Sequence, residues 1–420
     1  MIFGINTLSD FDVNGKTVLC RVDLNQPVDK KTDTLNDTTR IKASIPTISE
    51  LADRGAKVVL LAHQGSDIEY QNYYTLRPHA KVLSELLNRE ILFIEDICGP
   101  EALRMIRNMH NGQVLLLDNV RFLSEEQTLF EKKLKLSHSE QANTLLVRKL
   151  APLADLYVCD AFAAAHRSQP SLCGFEYVLP SAMGRLFEKE YEVLSGIMKK
   201  PERPCVFVLG GSKVGDAFTM MDSVLSNGIA DKVLTGGLVG NIILLALGKE
   251  IGSGSVDFIE KSNNSEYVEN ARILYEKYGD KIMVPCDVAY VEWEQRRECV
   301  IGKVPKNISA LDIGEKTIKA YQEAILKAQT VFVNGPMGVF ENDITGNGTA
   351  GVWDAIAQTE GFTVIGGGDS ITATKKYNKE SDISYICTGG GSLIRFLSGE
   401  ELPVVAALRH ASKNGRGAIE

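Results

Sequence analysis

Short, continuous runs of apolar and mostly β-branched residues recur along this chain, and longer segments with helical spacing separate them. Such runs begin at Lys16, Lys57, Ile91, Val114 and Leu156 in the first half and at Cys205, Lys232, Lys281, Thr330, Phe362 and Ile383 in the second. Continuous runs, as opposed to alternating ones, indicate strands that are buried on both faces. Because strands and helices alternate, the pattern predicts an α/β fold in which each half is a parallel sheet covered by helices.

The length of the chain, 420 residues, exceeds what one ordinary core supports and predicts two Rossmann-like domains. We place the N-terminal domain at residues 1–185 and the C-terminal domain at 186–402, joined by a hinge helix that begins near Leu186. Residues 403–420 form a tail that we expect to pack back on the N-terminal domain.

The composition excludes several classes of function. No stretch approaches the roughly 18 apolar residues that a membrane span requires, and the net charge of −8 disfavours binding to nucleic acid or to anionic lipid. The eight cysteines are scattered and contain no CxxC pair, and Met1–Asn6 lacks the features of a secretion signal. We therefore expect reduced thiols and a cytoplasmic protein.

Polar and cationic residues stand where the strands of the first half end, which is where open parallel sheets bind their ligands. These residues are Arg21, Asp23, Asn25, Arg40, His63, Asn119, Arg121, Asp160, His166 and Arg167. One such arginine is most often a solvated surface residue, but several guanidinium groups at one edge suit a ligand with phosphate and carboxylate groups. The two histidines have no spacing typical of metal ligands and could equally be structural.

Glycines mark the strand ends of the second half. The segments are Gly210-Gly-Ser-Lys213, Gly236-Gly237, Asn334-Gly-Pro-Met-Gly338, Gly366-Gly-Gly-Asp-Ser370 and Gly389-Gly-Gly391. Glycines let backbone N–H groups approach phosphates, and the helices that follow favour negative charge at their N-termini. Lys213 is placed to meet a phosphate, Asp369 suits Mg²⁺, and Glu341 could accept hydrogen bonds from ribose hydroxyls.

Of two common phosphate-binding motifs, the chain contains one. The chain has no GxxxxGK[ST] sequence. Gly346-Asn-Gly348-Thr-Ala-Gly351 matches GxGxxG but does not follow a clear strand, so we interpret it as the start of a helix near the nucleotide. Residues 124–148 are polar and helix-prone, and we expect an exposed helical excursion without chemistry.

Taken in order, these segments resemble the phosphoglycerate kinase family, and most closely its archaeal branch. The first-strand motif RVDxNxP is similar to Arg21-Val-Asp-Leu-Asn-Gln-Pro27. Further matches are Ala62–Gly65, Leu117–Phe122, Asp160–Arg167, Leu209–Val214, Val333–Glu341, Gly366–Ser370 and Thr388–Gly391. The resemblance extends from about residue 16 to 400.

The resemblance implies a transferase that moves a phosphoryl group reversibly from 1,3-bisphosphoglycerate to ADP by hinge closure, with Mg²⁺ as cofactor and a place in glycolysis. Catalysis would fall to Arg40 and Lys213. The acid would be bound by Asp23, Asn25, Arg40, His63, Arg121 and Arg167. The nucleotide would be bound by Gly236, Gly237, Asn334, Glu341, Gly367, Gly368, Asp369 and Ser370, with Asp369 holding the metal.

Two positions depart from the family pattern. Ser66 stands where an arginine is common, and Ala217 stands where a second lysine is common. These departures leave a nucleotide-binding regulatory protein without catalysis as one alternative. The parallel sheet and the GxGxxG match leave a nicotinamide-dependent oxidoreductase as another. The sequence leaves open whether the protein is a monomer or a homodimer.

Overall fold

The structure is a computed structural model that describes residues 1–65 and 73–414. Ser66, one of the two departures from the family pattern, lies outside the described residues. The chain divides into two compact units. Unit 1 is Met1–Glu192 with the described residues from Glu401 onward, and unit 2 is Val193–Glu400.

Unit 1 is built on a parallel sheet. Its strands are β1 (Thr17–Arg21), β2 (Val28–Asp29), β3 (Thr34–Leu35), β4 (Lys57–Leu61), β5 (Ile91–Ile94), β6 (Val114–Leu117), β7 (Leu156–Cys159) and β8 (Ser181–Met183). Six of them form one sheet in the order β5-β6-β4-β1-β7-β8, and β2 pairs with β3 in a short hairpin. All neighbours in the large sheet run parallel, so their carboxyl ends meet at one edge.

Unit 2 repeats this plan and adds a small antiparallel sheet. Its strands are β9 (Cys205–Leu209), β10 (Lys232–Thr235), β11 (Ile282–Met283), β12 (Asp287–Glu292), β13 (Gln295–Val300), β14 (Asp312–Ile313), β15 (Thr330–Asn334), β16 (Phe362–Gly366) and β17 (Tyr385–Ile386). The parallel sheet has the order β11-β10-β9-β15-β16-β17, and the antiparallel sheet has the order β13-β12-β14.

Helices cover both parallel sheets. In the first half they are α1 (Thr39–Asp53), α2 (Arg77–Leu87), α3 (Pro100–Arg107), α4 (Thr128–Leu134), α5 (His138–Gln141), α6 (Leu145–Leu150), α7 (Pro170–Cys173) and α8 (Arg185–Lys199). In the second half they are α9 (Val214–Ser226), α10 (Gly237–Ala246), α11 (Ser253–Lys261), α12 (Tyr267–Tyr278), α13 (Glu315–Leu326), α14 (Asn347–Gln358), α15 (Gly368–Lys376), α16 (Gly390–Leu397) and α17 (Pro403–Lys413).

The central strands are buried along their whole length, as the continuous apolar runs predict. All residues of β1, β9 and β15 are buried, and each buried Val or Leu contributes about 1.5–3 kcal/mol by leaving water. The predicted α/β class, with two helix-covered parallel sheets, is confirmed.

The chain passes from unit 1 to unit 2 within helix α8 and returns to unit 1 with helix α17. The change from unit 1 to unit 2 falls inside α8, between Glu192 and Val193. Helix α17 belongs to unit 1, where the N–H of Val404 donates to the carbonyl of Ala165 and Arg409 donates to the hydroxyl of Tyr191 at 2.7 Å.

The antiparallel sheet was not expected from the sequence. Its hairpin turns at Trp293 and Glu294, which have φ of 52° and 60°. A two-residue turn of this kind needs a positive φ at both positions and is usually marked by Asn or Gly. Neither residue occurs here, so the usual sequence signal for the hairpin is missing.

The cysteines form no disulfide, and six of the eight are buried. Burial raises the pKa of the Cys159 and Cys205 thiols to about 12, which leaves both protonated and unreactive at neutral pH. No helix within the described ranges is both long and apolar enough to cross a membrane.

Candidate active site

The edge of the unit 1 sheet gathers a cluster of guanidinium groups around one imidazole. His63 follows β4 and is buried. Burial lowers its pKa well below 6.5, and positive charge from four arginines lowers it further: Arg21, Arg121, Arg40 and Arg167. The predicted convergence of arginines at this edge is therefore present in the fold.

The hydrogen bond between Arg21 and His63 fixes the imidazole tautomer. Nη2 of Arg21 lies 3.1 Å from Nδ1 of His63. A guanidinium group only donates, so Nδ1 must accept. Because the lowered pKa keeps the ring neutral, its proton lies on Nε2, which can donate to an anionic ligand.

Arg40 lies in the first turn of α1 and is held by a buried carboxylate. Nη1 of Arg40 donates to Oδ2 of Asp23 at 2.6 Å, and the other oxygen of Asp23 accepts from the backbone N–H of Asn25 at 3.0 Å. Oδ1 of Asn25 accepts from the N–H of Gly65 at 3.1 Å. Asp23 and Asn25 therefore organise the arginine and the loop after β4.

The other two predicted arginines approach from different loops. Arg121 follows β6, is almost fully buried and donates through Nη1 to the carbonyl of Gly65. Arg167 follows β7 and donates to the hydroxyl of Thr128 at 3.2 Å, with Glu131 at 3.9 Å. Arg167 is thus held by α4.

The segment 124–148 is not an exposed excursion without chemistry, and that prediction is wrong. Glu126 is fully buried and accepts from both the N–H and the hydroxyl of Ser171, at 2.6 and 2.7 Å. Nε of Arg21 donates to the same hydroxyl at 2.9 Å. Glu126 therefore supports, through Ser171, the arginine that bonds His63.

Arg21 stands at a strand end but is not among the site residues that the family resemblance implies. It is 1% exposed, and a fully buried arginine at the carboxyl end of a central strand is uncommon. The sequence signal was present in its position, but only the fold shows that its hydrogen bonds reach His63.

Asp160 follows β7 but serves another helix. Its Oδ1 accepts from the N–H groups of Leu186 and Phe187, at 2.9 and 3.2 Å, and so caps the N-terminus of α8. Burial raises the pKa of Asp160 to about 7. This strand-end carboxylate is structural and is separate from the arginine cluster.

In unit 2 the glycine segments bring neighbouring loops into close contact. A Cβ atom at Gly210 would lie 2.1 Å from the carbonyl oxygen of Pro336, and one at Gly335 would lie 2.1 Å from that of Gly210. These glycines are required because the loops after β9 and β15 pack backbone to backbone.

A small pocket lies where these loops meet the N-terminus of α15. The residues that line it are Gly210, Gly211, Ser212, Lys213, Asn334, Gly335, Gly367, Gly368, Asp369 and Ser370. Among these lining residues Lys213 alone is cationic. No ion pair or hydrogen bond of its Nζ occurs within the described part of the chain. An unpaired ammonium beside a helix N-terminus is suited to a phosphate.

The first turn of α15 supplies backbone donors to this pocket. Gly367 is the N-cap residue with φ of 86°, and Gly368, Asp369 and Ser370 follow it in the helix. The hydroxyl of Ser370 accepts from the N–H of Gly335 at 2.7 Å. The side chain of Ser370 therefore ties α15 to the loop that follows β15.

Next to this small pocket lies an apolar cavity of about 340 Å³. Its walls include Leu238, Phe258, Ala310, Leu311, Pro336 and Val339, and Glu341 and Asp369 also line it. A flat aromatic base fits such walls, and a carboxylate at the lining suits the hydroxyls of a sugar.

Gly237 lines this cavity, whereas Gly236, the N-cap residue of α10, is not among the residues that line it. The N–H of Gly236 donates to the carbonyl of Leu209, and that of Gly237 donates to the carbonyl of Met337 at 2.7 Å. Both backbone donors are used inside the protein, so neither glycine offers a free N–H group to a ligand in this cavity.

The GxGxxG match starts a helix, as expected, but does not bind phosphate. Helix α14 begins at Asn347, and the N–H of Gly348 donates to Oδ2 of Asp312 at 2.7 Å. A buried carboxylate therefore occupies the position that a dinucleotide phosphate would need. This observation argues against the nicotinamide alternative.

Asp369 has the chemistry of a Mg²⁺ ligand. Its carboxylate lines both pockets of unit 2 and makes no ion pair with any residue in the described ranges. No group of three or more His, Cys, Asp or Glu side chains in the described part of the chain could hold a metal ion. A Mg²⁺ ion here would complete its shell with nucleotide oxygens and water.

The second departure from the family pattern lies in α9. Ala217 has no charged group and is buried, so this position supplies no cation. Lys213, at the N-terminus of the same helix, is therefore the cation that α9 brings to the phosphate pocket.

The sequence of this chain is similar to those of known proteins of one family. The model of the family described as phosphoglycerate kinase matches residues 8–400. The chain is 46% identical to the phosphoglycerate kinase of Methanothermobacter thermautotrophicus over 97% of this chain and 98% of the relative. It is 45% identical to that of Methanothermus fervidus, with 98% of each chain covered.

Solved structures of phosphoglycerate kinases share the fold of this chain. The phosphoglycerate kinase of Pyrococcus horikoshii OT3 superposes with a TM-score of 0.87 at 40% identity, covering 97% of this chain and all of that one. The enzyme of Coxiella burnetii superposes with a TM-score of 0.81 at 30% identity, covering 96% and 98%.

Proposed function

The chain belongs to the phosphoglycerate kinase family, and from this membership we propose how its own residues carry out the family's reaction. The enzyme is a phosphotransferase that moves a phosphoryl group reversibly from 1,3-bisphosphoglycerate to ADP, giving 3-phosphoglycerate and ATP. What remains to be assigned is the role of each side chain.

The acid binds at the arginine cluster of unit 1. The observation that carries this assignment is the gathering of four guanidinium groups around the neutral His63. Arg121, Arg167 and Arg40 neutralise the phosphate and carboxylate groups, while Nε2–H of His63 donates a hydrogen bond without adding charge. Asp23 and Asn25 hold the cluster in place through Arg40 and Gly65.

The nucleotide binds in unit 2. The base enters the apolar cavity, Glu341 accepts from the ribose hydroxyls, and the first turn of α15 with Gly367, Gly368 and Ser370 receives the phosphates. Asn334 lines the same pocket at the end of β15. Asp369 would hold Mg²⁺, which lowers the negative charge of the nucleotide when it is bound.

Transfer requires positioning and positive charge more than proton chemistry. An oxygen of the ADP β-phosphate attacks the phosphorus of the acyl phosphate, the bond from phosphorus to the carboxyl oxygen breaks, and the carboxylate leaves without a proton. Lys213 and Arg40 stabilise the charge on the oxygens of the group in transit. We propose that the two units close to bring these groups together and exclude water.

A coupled assay with 3-phosphoglycerate, ATP and Mg²⁺ tests the proposal directly. We expect turnover that requires all three components and that is lost in the double variant Arg40→Ala, Lys213→Ala. Binding of ADP should be measurable, and binding of NAD should be absent. Turnover that persists in the double variant would contradict the assigned roles, and its absence in the native enzyme would favour the regulatory alternative.

We also propose that the enzyme works in the cytoplasm on these small molecules. Eight free thiols, most of them buried, are typical of a protein in a reducing compartment.

A further inference from the structure

The carboxylate assigned to the ribose lies in a segment that has no helix or strand of its own. Residues 335–346 connect β15 to α14, and Glu341 lies in the middle of this connection. A carboxylate that must meet two hydroxyls needs a fixed backbone, because a displacement of 1 Å can remove a hydrogen bond. The rest of unit 2 must therefore hold this loop.

One side chain holds the backbone at Glu341. Nζ of Lys376 donates to the carbonyl of Phe340 at 2.8 Å, to the carbonyl of Glu341 at 3.3 Å and to Oδ1 of Asp343 at 2.7 Å. These three bonds use all three donors of the ammonium group. The side chain is only 30% exposed, so its charge is partly withdrawn from water.

The position of Lys376 connects the loop to the phosphate site. Lys376 is the last residue of α15, and Gly368 and Asp369 are its first two. A rise of about 1.5 Å per residue separates the two ends of this helix by roughly 12 Å. One helix thus carries the proposed phosphate-binding donors at its N-terminus and, at its C-terminus, the lysine that donates to the loop of residues 335–346.

We propose that Lys376 is a positioning residue that holds Glu341 against the nucleotide ribose. The proposal rests on the assignment of Glu341 to the ribose. Lys376 touches no substrate in this scheme and acts only through the loop backbone. The far end of the loop has separate supports, since Arg296 donates to the carbonyl of Ile344 and Tyr377 donates to that of Gly346. Removal of Lys376 should therefore loosen the loop locally.

The test compares Lys376→Met with Lys375→Met. Lys375 is an exposed lysine one position earlier on the same helix, so it controls for the loss of one charge. Both variants are assayed with ADP and with 2′,3′-dideoxy-ADP, which lacks the hydroxyls that Glu341 would bind. Should Lys376→Met fail to fold, Lys376→Gln, whose neutral amide group can still donate, takes its place.

We expect Lys376→Met to raise the KM for ADP by about tenfold, the size of a lost hydrogen bond to a charged group. Its kcat at saturating nucleotide and its KM for the acid should stay within about twofold of the native values. Its KM for the dideoxy nucleotide should equal that of the native enzyme, and Lys375→Met should match the native enzyme throughout.

The variant Glu341→Gln separates the two possible failures. If Glu341→Gln still discriminates between ADP and the dideoxy nucleotide as the native enzyme does, the ribose assignment itself is wrong. If Glu341→Gln loses that discrimination but Lys376→Met keeps it, the positioning role is overturned. An equal rise in KM for both nucleotides in Lys376→Met would also overturn it, because it would indicate a general structural role.

Discussion

At the residue scale, the guanidinium group of Arg40 is fixed by a buried carboxylate and yet remains accessible. Asp23 is 4% exposed at its side chain, whereas 35% of the Arg40 side chain is open to solvent. One edge of the guanidinium group is therefore spent on orientation, and the rest can serve a ligand. An arginine held in this way loses little freedom when the substrate arrives.

We predict that Arg40→Ala lowers kcat by about 10²-fold or more, as expected for the loss of a charge contact made in the transition state. Steady-state kinetics would measure it. Lys42→Ala is the matched control, since Lys42 is an exposed cation on the same helix. A change confined to KM would show that Arg40 only binds the ground state.

His63 is the second residue whose chemistry is set by its neighbours. Its pKa lies well below 6.5 because of burial and the adjacent arginines, so the folded protein resists its protonation. The unfolded chain takes up that proton near pH 6.5. The stability that depends on neutral His63 is thus present above about pH 6.5 and is lost as the pH falls below it.

We predict that nitrogen NMR of the folded enzyme shows His63 neutral at pH 6.5 with its proton on Nε2. The exposed His110 serves as the reference in the same spectrum. A protonated ring at this pH, or a proton on Nδ1, would contradict the hydrogen bond from Arg21.

At the element scale, the start of α8 is bound to α1. Asp160 caps the helix, and the first residue of α8, Arg185, donates two hydrogen bonds to Glu50 of α1 at 2.7 and 2.8 Å. The N–H of Arg185 also donates to the hydroxyl of Thr47. Helix α1, which carries Arg40, and helix α8, which leads to unit 2, are therefore fastened to each other.

We predict that Asp160→Asn changes how stability depends on pH. Burial raises the pKa of Asp160 to about 7 from an ordinary value of 3.8, so the folded state binds a proton that the unfolded state has released. The associated stability is fully present below about pH 3.8 and is lost as the pH rises through about 7.

Chemical denaturation at a series of pH values would measure this effect. Between about pH 4 and pH 8 the native enzyme should lose a few kcal/mol relative to Asp160→Asn, which cannot titrate. Asp12→Asn, at an exposed position, is the control. Parallel curves for the native enzyme and Asp160→Asn would show that Asp160 ionises normally in the folded state.

At the scale of the whole molecule, the two proposed ligand sites belong to different units. The arginine cluster lies in residues 21–167 of unit 1, and the nucleotide pockets lie in residues 210–370 of unit 2. Phosphoryl transfer needs the attacking oxygen about 3–3.5 Å from the phosphorus, in line with the bond that breaks. We therefore expect catalysis to require that the two units bring their ligands together.

We predict that small-angle X-ray scattering shows a smaller radius of gyration with 3-phosphoglycerate and Mg·ADP together than with either alone. The single-ligand samples are the controls, because they separate local ordering from closure. An unchanged radius in the presence of both ligands would count against closure.

The sequence by itself determined the class of fold and the candidate ligand edges. Continuous apolar runs specify strands that are buried on both faces, because apolar side chains on both faces of a strand must leave water. This signal is local and can be read from the sequence. The carboxyl ends of parallel strands lie at one edge of the sheet. The residues that follow the runs, such as His63 and Lys213, could therefore be predicted as ligand-binding candidates without coordinates.

The tertiary structure alone decided what each strand-end residue contacts. Asp160 caps a helix that starts 25 residues later in the chain, and Glu126 supports Arg21 through Ser171. In the GxGxxG segment, the N–H of Gly348 donates to Asp312. Lys376 donates to the carbonyl of Phe340, more than 30 residues earlier in the chain. Such hydrogen bonds join residues far apart in the chain, and their partners follow from packing, which local sequence patterns do not encode.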